Sequence, residues 1–200
     1  LKFTRNTRNL SSNLTFTDIA EDFRSDVGYI TRTGVWRATA SMTPKIYPKK
    51  GLVKRIDPTI YTSLTKDKPS DKFEHTIYTS LAFTLPKNTR LSIDKDFSTE
   101  IYQGETFDDG GLSLNANSQI SKRFFFRSSY RWDRGIYFQD AEQGYGRRIS
   151  NVINWQMSDK VNFQFNHNFV SLFSDETDQK YFDLHIARGR LVYQVNQYLF

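Results

Sequence analysis

Apolar and polar side chains alternate residue by residue along much of this chain. Val161, Phe163, Phe165, Phe169 and Phe173 share one parity, and Asn162, Gln164, Asn166 and Asn168 the other. Just before them, Ile149, Ile153, Trp155 and Met157 oppose Arg148, Ser150, Asn154 and Gln156, with Val152 out of step. The same rhythm sets Phe124, Phe126, Tyr130 and Trp132 against Phe125, Arg127, Ser129 and Arg131, and Leu112, Leu114, Ala116 and Ile120 against Ser113, Asn115, Asn117 and Gln119. Trp36, Ala38, Ala40 and Met42 oppose Arg37, Thr39 and Ser41, and Ala187, Gly189, Leu191, Tyr193 and Val195 oppose Arg188, Arg190 and Gln194. Successive side chains of a strand point to opposite faces, so each stretch predicts a strand with one apolar and one wet side. Phe182 and Leu184 take the wrong parity for the apolar set, which predicts a β-bulge or a loop lip beside them.

Short polar segments punctuate these strands at Tyr47-Pro48-Lys49-Lys50-Gly51, Pro86-Lys87-Asn88-Thr89, Ser121-Lys122-Arg123, Ser158-Asp159-Lys160 and Asn196-Gln197. The spacing of roughly 35 residues accommodates two strands of the ~9–11 residues that cross a membrane, plus a longer loop. Alternation for ~10 residues or more also exceeds the ~5–6 residues of an ordinary globular strand. Aromatic residues sit near strand ends, as with Tyr130 and Trp132, Trp155, and Tyr193 with Tyr198, where interfacial girdles place them. The expected fold is all-β: an antiparallel up-and-down transmembrane β-barrel, or a segment of a larger one. About ten strands are expected, in one domain over residues 1–200. A soluble β-sheet module that binds glycans is the alternative.

Composition changes this picture little. Aromatic residues make up 16% of the chain and hydrophobic residues only 38%. No run approaches the ~18 apolar residues of a membrane helix, whereas a barrel needs apolar residues only at alternate positions. With no Cys, disulfides, thiolate metal sites and thiol nucleophiles are excluded. Leu1 opens directly into polar, aromatic-spaced sequence, so the chain is expected to be an excised part of a longer precursor.

Charge is segregated. The short turns carry Lys45, Lys49, Lys50, Lys54, Arg55, Lys87, Arg90, Lys122, Arg123 and Lys160, and the intervening loops carry Asp108, Asp109, Asp140, Glu142 and Asp175-Glu176-Thr177-Asp178. A formal net charge of +6 raises the question of nucleic acid. That partner is not expected, because its recognition needs a basic stripe or an interleaved stacking platform. Instead Arg37, Arg127, Arg131, Arg188 and Arg190, with Asn115 and Asn117, are expected to face a lumen. There the arginines either pair with acids such as Asp94 and Asp96 or guide an anion or sugar. Tyr137, Phe138 and Tyr145, with Tyr102 and Phe107, are candidate loop residues for stacking on a ligand or for folding the loops over the mouth.

Catalytic signatures are sparse. His75, His167 and His185 lie on different expected strands without metal-ligand spacing, and there is no nucleophile elbow or phosphate loop. His167 and His185 can meet across a hairpin, which makes a barrel-wall hydrolase using a nearby Ser or Asp the second alternative. Asp175–Asp178 lacks the Gly and terminal Glu of a calcium-binding hand loop. No catalytic residue, metal or cofactor is expected, and the chain is not expected to be an enzyme.

Two segments carry a resemblance. Phe16-Thr17-Asp18, with Asp22-Phe23-Arg24-Ser25-Asp26-Val27-Gly28-Tyr29-Ile30-Thr31-Arg32-Thr33, and the stretch from Tyr181-Phe182-Asp183-Leu184-His185-Ile186-Ala187-Arg188-Gly189-Arg190 to Phe200 resemble part of a family of Gram-negative envelope proteins. That family joins an N-terminal carbohydrate-binding-module family 9-like domain to a C-terminal outer-membrane barrel of unknown function. Thr31 stands where the family pattern has Pro. The resemblance implies that this chain is barrel without the sugar-binding domain, located in the outer membrane, with outer-membrane lipid as one partner and carbohydrate as another. Its role would be envelope anchoring, or passage of a polar solute such as an oligosaccharide. Phe200 is not expected to be the natural terminus.

Overall fold

A computed structural model describes residues 1–24 and 32–195. The central part of the first resemblance segment, including Thr31, lies outside the described residues, as do the expected turn at Asn196-Gln197, Tyr198 and Phe200. The strands are β1 (Lys2–Asn6), β2 (Leu10–Ile19), β3 (Val35–Pro44), β4 (Arg55–Asp67), β5 (Lys72–Leu85), β6 (Thr89–Tyr102), β7 (Glu105–Asp108), β8 (Gly111–Ser121), β9 (Phe124–Tyr137), β10 (Glu142–Gln156), β11 (Val161–Ser174) and β12 (Lys180–Tyr193).

Every ladder is antiparallel, and each strand pairs with its sequence neighbours in one up-and-down sheet, with β7 extending the β6 hairpin above β8. Twelve strands replace the expected ten: β1 and β7 are short pieces that periodicity does not resolve. The sheet is open. β1 and β12 are its two edges, and no ladder joins them among the described residues.

The loops are also shorter than expected. β9, β10, β11 and β12 run for 14, 15, 14 and 14 residues, leaving only 138–141 and 175–179 as connections on the side opposite the basic turns. Tyr102, Phe107, Tyr137, Tyr145, Asp108 and Glu142 therefore stand in strands, not loops; of the five aromatic loop candidates only Phe138 is in a turn. Past the expected membrane span the outward residues become polar, as at Arg134 and Arg147, so the upper strands read as loop in the sequence. A register shift between Leu172 and Phe173 places Phe182 opposite Leu172 and Lys180 opposite Phe173, leaving Tyr181 as the extra residue of a bulge. Phe182 and Leu184 themselves remain in register, opposite Leu172 and Val170.

The register gives the two faces opposite characters. Phe3, Leu14 and Phe16 of β1 and β2 share a face with Met42, Ile60, Leu64, Ile77, Leu81, Leu91, Ile93, Phe97, Leu114, Tyr130, Trp132, Trp155, Leu191 and Tyr193 across β3 to β6, β8 to β10 and β12. All of these are exposed, Leu191 to 65% and Phe97 to 59%. The other face carries Asp57, Ser63, Thr65, Asp94, Asp96 and Asp133, all buried. No large side chain is fully buried among the described residues, and the buried apolar residues are Val35, Ala82, Phe107 and Ile136. A water-soluble sheet buries its apolar face. This one does the reverse, as a sheet curved around its polar side does.

Candidate functional site

The polar face is layered along the strand direction. Nearest the basic turns, one cross-strand row runs Arg55, Thr84, Arg90, Asn117, Arg127, Val152, Asn166, Arg188. Asp57, 4% exposed, takes Arg55 at 2.8 Å and Arg90 at 3.0 Å. Arg90 reaches it from two strands away, across Ala82, which is 0% exposed. Only a small residue on the strand between leaves room for such a bridge. Arg127 lies over the Phe125 ring, with its guanidinium carbon 5.7 Å from the centroid. Arg127, Arg188 and Arg190 make no ion pair among the described residues, and Arg37, on the same face in β3, donates to the Thr65 hydroxyl at 2.9 Å.

The next row is neutral: Ser92, Asn115, Ser129, Ser150 and Asn168 lie side by side. Asn115 donates to Asp94 at 2.6 Å, and the Ser80 hydroxyl also donates to Asp94. Asp94 is thus held by amide and hydroxyl donors. Above it the arginines do pair. Arg131 binds Asp96 in a fork, at 2.8 and 3.0 Å, and Asp133 at 2.8 Å, while Arg148 reaches Asp133 at 3.1 Å. Asp133 is 5% exposed. The Arg131–Asp96 fork spans β8 at Gly111, where a Cβ would sit 2.7 Å from the Asp133 Cβ and 2.9 Å from the Arg131 guanidinium carbon. Glycine is required there by space alone. The sequence marked Arg131, Asp94 and Asp96; it missed Asp57, Asp133 and the two small residues, which only cross-strand register brings beneath the bridges. The seven polar-face candidates Arg37, Arg127, Arg131, Arg188, Arg190, Asn115 and Asn117 all project from this one face, over several rows.

At the mouth, Tyr137 of β9 and Tyr181 of β12 stack with centroids 4.1 Å apart and planes 8° from parallel. Phe138 meets Tyr102 edge-on at 5.1 Å. Tyr137, Phe138 and Tyr181 border a cleft of about 730 Å³, lined also by Ile136, Val170, Leu172, Phe182, Glu100, Asp109, Asp133 and Arg148. Tyr145 belongs elsewhere. Its position pairs with Phe173 on the opposite face, where the two rings stack at 5.5 Å and its hydroxyl donates to Asp178 at 2.9 Å. Burial first, and then the Glu100 charge, push the Asp109 carboxyl above the ordinary aspartate range.

The apolar face also carries polar groups: Lys95, whose ammonium lies over the Phe97 ring at 4.7 Å from its centroid, and a cluster across β9 to β12. The Ser128 hydroxyl donates to Asn151 at 2.7 Å, Asn151 lies 3.3 Å from Nδ1 of His167, and the His167 and His185 rings are 6.1 Å apart. The two histidines do meet across the β11–β12 hairpin. Neither hydrogen-bonds a Ser hydroxyl or an Asp carboxylate among the described residues, so the group has no nucleophile-to-base link. His75 is remote from both, on β5, beside Thr99 at 3.3 Å.

No family model, no curated protein and no solved structure matches this chain.

Proposed function

We propose that the chain forms the wall of a transmembrane β-barrel in a Gram-negative outer membrane. Its apolar face meets outer-membrane lipid, and its layered polar face lines an interior that anchors the protein or passes a polar solute, for instance an oligosaccharide. The observation that carries this reading is the inversion of the two faces: large apolar side chains exposed on one side, and the carboxylates of Asp57, Asp94, Asp96 and Asp133 buried on the other. Left in water, such a face is far larger than the few hundred Å² of contiguous apolar surface that soluble monomers expose. In lipid it needs no cover.

Dimensions support the same reading. Strands of 13–15 residues, at ~3.4 Å per residue and a tilt near 45°, rise roughly 30–35 Å, more than the ~25 Å apolar band of such barrels. The excess carries the acidic, aromatic mouth clear of the bilayer. An open sheet edge is not tolerated in hydrocarbon. The barrel therefore closes either between β1 and β12 or through further strands. Arg127, Arg188 and Arg190 form its free positive charge near the basic turns and favour passage of anionic or strongly hydrogen-bonding solutes.

Fractionation of the protein expressed in a Gram-negative host tests this. Recovery with outer membranes, together with heat-dependent migration in detergent gels, is the expected result. Monodisperse protein in plain buffer would overturn it.

A further inference from the structure

One apolar stretch of the polar face borders a cleft. Val170 and Leu172 of β11 and Phe182 of β12 hold positions that on neighbouring strands belong to Arg131, Asp133 and Arg148. With buried Ile136 and the stacked Tyr137–Tyr181 pair they wall a space of about 730 Å³. Volumes of ~300–1,000 Å³ with apolar walls and a few fixed polar groups are those of small-molecule sites.

Charge in and beside the cleft defines what fits. Arg131 and Arg148 are matched by Asp96 and Asp133, in contacts of 2.8 to 3.1 Å, and that group of four cancels. Glu100 and Asp109 remain, and their carboxylates make no hydrogen bond or ion pair among the described residues. Asp109 is held above the ordinary aspartate range by burial and by Glu100 and Asp133, although Arg131 and Arg148 act against this. The pocket wall is thus aromatic and aliphatic, with two uncompensated carboxylates at its edge.

We propose that this cleft binds a small organic cation, an amine or quaternary ammonium carried on an apolar or aromatic body. The body fills the Val170–Leu172–Phe182 wall, the positive centre lies against the tyrosine rings and between the two carboxylates, and the aromatic faces attract it through their quadrupoles. An anion would meet Glu100 and Asp109 as like charges. A neutral polyol would leave the apolar wall unfilled. The inference rests on the cleft walls and does not require the outer face to be in lipid.

Benzyltrimethylammonium, neutral benzyl alcohol and anionic phenylacetate can be compared by saturation-transfer NMR on the full chain folded in a nonionic glucoside detergent, which carries no ammonium group to compete. The cation is expected to bind at least about tenfold more tightly than the other two, a gap of ~1.4 kcal/mol. Glu100→Gln and Asp109→Asn, singly and together, are isosteric and should erase that preference, whereas Asp159→Asn at the opposite end of the sheet should leave it intact. Equal binding of the three probes, a preference for phenylacetate, or an undiminished cation preference in the Glu100→Gln/Asp109→Asn variant overturns the proposal. Protein that inserts in bilayers but shows no cation preference refutes this inference alone; protein that is soluble yet prefers the cation refutes only the membrane reading.

Discussion

Removing Arg131 strikes the polar face where most depends on one side chain. Its guanidinium joins β9 to β6 across β8, with Nε on Asp133 at 2.8 Å and the terminal nitrogens on Asp96 at 2.8 and 3.0 Å. The partners are largely withdrawn from water, the Asp96 and Asp133 side chains being 12% and 4% exposed. Deleting one member of a buried pair leaves an unpaired charge and costs ~3–5 kcal/mol. Two features lower that figure here: the Arg131 side chain is 27% exposed, and Asp133 keeps Arg148 at 3.1 Å. Arg131→Leu should therefore lose about 2–4 kcal/mol. Asp96→Asn, which leaves Arg131 with Asp133, should lose less, about 1.5–3 kcal/mol, the range for a hydrogen bond to a charged group. The double variant should lose clearly less than the sum of the two, because the second change removes the orphan created by the first. Urea unfolding from phospholipid vesicles, followed by tryptophan fluorescence, measures all three, provided the slope with denaturant stays constant. A loss under about 0.5 kcal/mol for Arg131→Leu, the size of an exposed ion pair, would mean that this face is freely hydrated and that the bridge contributes little.

The other expectations follow from space, polarity and titration. Gly111→Val places a Cβ 2.7 Å from both the Asp133 Cβ and the Trp132 carbonyl oxygen and should cost more than about 2 kcal/mol by displacing backbone. Gly135→Ala, which meets nothing within 4 Å, should change stability by less than about 1 kcal/mol in the same assay. Ala82→Leu, beneath the Arg90–Asp57 bridge, should lose about 1–3 kcal/mol by overpacking; a neutral result would show that the bridge does not lie over β5. Replacing Ser128, Asn151 and His167 together by Ala, Leu and Leu removes a polar cluster from the outer face, and bilayer-folded protein should become no less stable, whereas protein in water should aggregate. Asp109→Asn should stabilise the fold at neutral pH. A folded-state pKa above the unfolded value means that ionisation opposes folding, so the gain is full above the raised pKa and vanishes as pH falls below the ordinary aspartate value, near ~4; urea midpoints at the two pH values check the sign.

The faces were legible in the sequence because a one-residue slip would turn every apolar side chain over, so parity and register are locked together. Phe124 to Trp132 and Phe163 to Phe169 follow the expected alternation strand by strand. What was not legible depended on knowing which residues lie opposite. Nothing in the order of residues tells that Gly111 clears a path from Arg131 to Asp96, or that Ala82 underlies Arg90. The parity break at Phe182 and Leu184 was visible, yet its meaning appeared only when Val170 and Leu172 were found beside them on the polar face, forming a cleft. Tyr137 and Tyr145 read alike in sequence and face opposite ways, because the odd residues of β9 pair with the even residues of β10.

The most direct test is quenching of tryptophan fluorescence by lipids brominated at graded depths along their acyl chains. Trp36, Trp132 and Trp155 all lie on the apolar face. Trp132 and the Phe124 position paired with Trp155 are eight residues apart on β9, about 27 Å along the strand and roughly 20 Å after tilt, close to the separation of the two interfacial girdles. In vesicles, single-tryptophan variants retaining Trp132 or Trp155 should both be quenched, most strongly by shallow bromines, and from opposite leaflets. Tryptophans that no brominated lipid quenches would contradict a lipid-facing wall and place this apolar face against protein instead.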